Sequence, residues 1–136
     1  MLHQVLAIGE WVIDFLFAEE RYDRDGVLAC LYEIDAPSEV LEQADEVMRK
    51  NDWNCGFMYG SILLKRAVVV VGPSSSGSEF LDTLVHEIHH LAVLIASGLG
   101  VDLESETPAY LAGDSVRELA EVICEMGCSN CHCGAD

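Results

Sequence analysis

At 136 residues, the chain has the length of a single domain and can bury a core of its own without disulfide staples. Hydrophobic residues make up 51% and charged residues 23%, the balance of a globular domain and not of a disordered one. Its 24 Asp and Glu against 7 Lys and Arg give a formal charge of −17, which argues against nucleic acid and anionic membrane surfaces as partners, because both are held by basic residues.

Residues 2–17 carry apolar side chains at Leu2, Val5, Leu6, Val12, Ile13, Leu16 and Phe17, a spacing that predicts an amphipathic helix. Glu10 and Asp14 interrupt this stretch, and it is too short for a membrane span. No basic leader or small-residue cleavage site accompanies it, so the cytoplasm is the expected compartment. Six cysteines then read as thiols or metal ligands, with Cys30 and Cys55 as buried thiols. Val27 to Ile34 is a strand or a buried helix. Ser38 is expected to cap a helix reaching Lys50. Gly56–Ser61 and Ala67–Gly72 suggest a β-hairpin, the second strand carrying the β-branched run Val68 to Val71. After the loop Gly72–Gly77, which lacks a GK[ST] ending and so is not a phosphate loop, Ser76 or Ser78 can cap a helix over 79–97. Gly98 and Gly100 end it. Ser105 can cap a last helix, with Pro108 in its first turn, running to about Met126. The expected class is α+β, with helices around a small antiparallel sheet, in a single domain over 1–136 whose tail, 124–136, is Cys-rich.

The segment His86-Glu87-Ile88-His89-His90 contains H-E-x-x-H. Residues i and i+4 share one helix face, so His86 and His90 can both reach one zinc ion. Glu87 beside them can act as a general base on water. The apolar neighbours Leu84, Val85, Ile88, Leu91 and Val93 argue against a fully solvated helix face. A catalytic zinc takes a third protein ligand, and no third His follows at metzincin spacing. Among Asp102, Glu104 and Glu106, Glu106 is preferred because it opens the last helix, with Glu104 as the alternative. Tyr110, one turn further, could donate to an oxyanion or pack at the helix interface. Asp102 and Asp114 are candidates to orient a ligand imidazole.

His86-Glu87-x-x-His90 followed by Glu106-x-x-Ala109-Tyr110-Leu111-x-Gly113 resembles small gluzincin-type metallopeptidases of bacterial, phage and mobile-element genomes. Gly56-Phe57-x-Tyr59, Val68–Val71 and Gly72-Pro73-x-Ser75-Ser76 are similar to uncharacterised members from Bacteroides-type bacteria. The resemblance spans residues 38–128. It implies a minimal zincin fold, with the metal site between a helix bearing H-E-x-x-H and a helix bearing a Glu ligand. It also implies an edge strand, placed at Ala67–Gly72, that pairs with an extended peptide or protein substrate.

The tail holds Cys124, Cys128, Cys131, His132 and Cys133. Cys128 and Cys131 are compatible with a second zinc, and Cys124 with a core position. Three functions follow as expectations: a zinc metallopeptidase with Glu87 as base; a non-enzymatic zincin-like domain whose structural metal supports binding of a peptide or protein; and a thiol or metal-handling protein centred on the tail.

Overall fold

Gly9 turns the chain back on itself. At φ +59° it takes a backbone conformation open to glycine and costly for most residues. With Glu10 it joins β1 (Leu2–Ile8) to β2 (Trp11–Phe17) as an antiparallel pair, Ile8 opposite Trp11. The first segment is therefore a hairpin and not the expected helix. A computed structural model describes residues 1–131, with side chains through Gly127.

Two helices follow, α1 (Arg24–Glu33) and α2 (Ser38–Lys50). Asp23 caps α1, its carboxylate accepting from the Gly26 N–H at 3.1 Å. Pro37, and not Ser38, occupies the cap position of α2. Next come β3 (Gly56–Ser61) and β4 (Arg66–Val71), the expected antiparallel hairpin. Then α3 (Gly77–Leu99) crosses the sheet, capped by Ser76 and closed by Gly100 at φ +70°. The last segment is two helices where one was expected, α4 (Thr107–Glu118) and α5 (Ala120–Cys131). Ser115 donates to the Leu111 carbonyl at 2.8 Å, a back-bond that bends helices just ahead of this break.

The sheet has the order β1-β2-β4-β3, and β2 runs parallel to β4. It is mixed, not purely antiparallel, within the α+β class. β4 is an inner strand, so residues 67–72 do not form an edge; the strand flanking β4 at the margin is β3. The all-apolar run of β4 follows from this position, since an inner strand is covered on both faces. On one face Ile13, Phe15, Phe17, Ala67, Val69 and Val71 pack with Phe80, Leu84, Ile88, Leu91 and Ile95 of α3 and with Leu119 and Met126. On the other, Leu16, Val68 and Val70 meet Val27, Leu31, Ala44 and Met48 of α1 and α2. Among the described residues, no helix is long and apolar enough to cross a membrane.

Candidate metal centre

The phase of α3 places each member of H-E-x-x-H. Phe80, Leu84, Glu87, Ile88, Leu91 and Ile95 are buried, the 3- and 4-residue spacing of one inward face. His86 and His90 lie on the exposed flank beside that face. Their Nε2 atoms are 3.1 Å apart, and their rings meet edge-on with centroids 4.7 Å apart. Two nitrogens bound at roughly 2.0–2.1 Å to one ion, with this separation, would subtend about 100° at it. That is close to a tetrahedral angle, so the pair fits a shared divalent metal.

Glu87 turns inward and is only 4% exposed. No hydrogen bond to its carboxylate occurs among the described residues. Burial pushes its carboxyl above the usual carboxylate range, with His86 and His90 opposing the shift. Gly56 makes room for it: a Cβ there would lie 3.1 Å from Glu87 Cγ, 3.0 Å from Thr83 Cγ2 and 2.7 Å from the Val70 carbonyl oxygen. The start of β3 thus presses directly on α3 at the candidate base. Asn54, Cys55, Gly56, Asp82, Thr83, His86 and Glu87 line a groove of about 270 Å³ at this junction. Its metal-compatible side chains beyond the motif are Asp82 and Cys55.

The structure does not bring Glu106 to the histidine pair. Glu106 is the exposed cap residue of α4. Leu111, in the same helix, shares an apolar cavity with Ile95 and Leu99 at the end of α3, and with Ile8 and Trp11 of the hairpin. Ile95 and Leu99 occupy the flank of α3 opposite His86 and His90, by helical phase. The first turn of α4 therefore stands beyond the end of α3 and on its other side. Glu104 and Tyr110 share that location. Tyr110 is 69% exposed, so neither packing at the helix interface nor donation into the groove describes it. Asp102 accepts from the Glu104 N–H at 3.0 Å and Asp114 pairs with Arg117 at 2.7 Å, so both serve local structure. Cys124 is exposed, not core, and Cys30 and Cys55 are half-buried. The side chains of Cys128 and Cys131 lie outside the described residues, as do residues 132–136.

One constellation escaped the sequence. His3 on β1, Asp14 on β2 and Cys30 on α1 bring their donor atoms within 4.8 Å of one another. A helical reading of residues 2–17 hides it; the hairpin register, with Val5 opposite Asp14 and His3 opposite Leu16, puts His3 and Asp14 on one face. No family model matches the chain, and neither a curated protein nor a solved structure matches it.

Proposed function

We propose that the chain is a zinc-dependent metallopeptidase built on the H-E-x-x-H of α3, without the Glu ligand on a second helix that the gluzincin resemblance implies. The observation that carries this reading is the pair of imidazole nitrogens 3.1 Å apart on α3, next to a buried carboxylate free of hydrogen-bond partners. His86 and His90 would hold the metal. Among the described residues no third His, Cys, Asp or Glu donor lies within 4.8 Å of both imidazole nitrogens, so Asp82 or Cys55, the other donors of the groove, would have to move toward the ion to serve as third ligand. When bound, zinc supplies a Lewis acid for a carbonyl oxygen and lowers the pKa of a water.

The chain's own groups do the remaining work. Glu87 accepts a proton from the attacking water and returns it to the departing amine nitrogen. Glu87 lines the groove beside His86, where its carboxylate can meet a water. β3 is an edge strand with its outer N–H and C=O groups available for an added strand. An extended peptide paired there runs past the Gly56–Glu87 contact and so past the histidine flank. The peptide-binding role expected of residues 67–72 is thereby reassigned to β3.

The test is cleavage of a mixed peptide library by the zinc-loaded protein, read by mass spectrometry, beside Glu87→Gln. New fragments that vanish in Glu87→Gln support the reading. A folded, zinc-loaded wild type that yields no fragments supports the alternative, a non-enzymatic metal domain that binds a peptide.

A further inference from the structure

We propose that His3, Asp14 and Cys30 form a second metal site, on the sheet face opposite α3, with a mixed N, O and S donor set suited to zinc or another borderline divalent ion. β1, β2 and α1 supply one donor each, all within 4.8 Å of one another. This set matches the ligand preferences of such ions.

The surroundings fit a cation. Asp14 is 6% exposed, and a buried carboxylate requires compensation. Its Oδ1 lies 2.7 Å from His3 Nε2, while Oδ2 accepts from Arg66 Nη2 at 3.4 Å. The two oxygens are thus divided: Arg66 orients the carboxylate from behind and Oδ1 faces the other donors, the arrangement in which an outer partner positions a ligand. Among the described residues Arg66 Nε is buried without a hydrogen-bond partner, so no acceptor there competes with Asp14 for that atom. Burial holds the Cys30 thiol above its usual range, and the carboxylates of Asp14, Glu33 and Asp23 add to this against Arg66, an effect a bound cation would offset.

An ion pair of Asp14 with His3 and Arg66 would account for the buried carboxylate. It would leave the Cys30 thiol, set within 4.8 Å of His3 and Asp14, with packing against Leu16, Val27 and Leu31 as its only role. The half-exposed His3 ring, at 43%, provides an entry path and leaves one coordination position open to solvent. Binding converts the Cys30 thiol to a metal-bound thiolate and releases its proton to water.

The site can be read separately from His86 and His90 by alkylating the full-length native protein with iodoacetamide, with and without zinc, and following each cysteine by mass spectrometry. Zinc is expected to abolish Cys30 modification, His3→Ala to lose that protection, and His86→Ala to keep it. Equal Cys30 modification with and without zinc overturns the proposal, as does protection that disappears with His86→Ala. A cobalt titration guards against misfolding of His3→Ala. In full-length protein carrying Ser at positions 55, 124, 128, 131 and 133, Co²⁺ should give a thiolate charge-transfer band that Cys30→Ser removes. Absence of the band in the parent protein also overturns the site.

Discussion

Gly56 packs against Glu87 with no space for a side chain between them: a Cβ would stand 3.1 Å from Glu87 Cγ and 2.7 Å from the Val70 carbonyl oxygen. The backbone oxygen cannot swing aside as a flexible side chain could. Gly56→Ala should therefore push β3 away from α3, costing about 1–3 kcal/mol of stability. Chemical denaturation measures that loss. Zinc affinity and peptide cleavage should fall with it, because the groove is built on this contact.

Glu87→Gln keeps the shape of the side chain and removes its basicity. Peptide hydrolysis should drop by roughly 10²–10⁴-fold, the usual contribution of a positioned base. Zinc content should stay at the wild-type level, since the imidazoles are untouched. Steady-state cleavage and elemental analysis of the same sample check both halves.

Glu106→Gln separates the structure from the resemblance. The exposed start of α4 lies across α3 from the histidine flank, so this substitution should leave zinc binding unchanged. Asp82→Asn and Cys55→Ser, in the groove, are the substitutions expected to weaken it. Zinc titration of the three variants decides between the two placements.

Tyr22 gives a stability prediction that is read on the metal-free protein. Burial, with Cys55 and Asp52 adding to the effect, raises its hydroxyl from 10.0 to about 12. The folded chain therefore keeps a proton that the unfolded chain loses. This contribution is fully present below pH 10 and declines between pH 10 and about 12, by up to about 2–3 kcal/mol. Tyr22→Phe preserves the stacking on Phe57 and should flatten the fall. Urea midpoints across that pH window measure it.

Local chemistry made α2, α3 and the β3–β4 hairpin legible. Ser76 and Gly100 marked the ends of α3 through cap preferences that need no tertiary information, and the 4-residue spacing of His86 and His90 fixed their common flank. Residues 11–17 misled because β2 is covered on both faces. Its apolar residues have no strict alternation, and together with β1 they imitate a helical spacing. The same physics applied to Val68–Val71 points to an inner strand. β3, with Gly56 and Gly60 and every residue only partly buried, has the composition of a margin. The end of α3 near Gly98 and Gly100 was legible, but the Glu106 placement depended on which flank the returning helix packs against, and Leu111 of α4 docks beside Ile95 and Leu99, opposite the histidines. His3, Asp14 and Cys30 meet only through strand register and the docking of α1, neither of which a motif encodes.

The central claim is that His86 and His90 hold one metal ion together. The most direct measurement is zinc content by elemental mass spectrometry on untagged, zinc-dialysed protein, compared with His86→Ala and His90→Ala. Both variants should contain about one zinc per chain less than wild type, because neither imidazole alone retains the ion. Equal zinc content in all three samples would contradict the account and leave H-E-x-x-H as a helix flank without a metal.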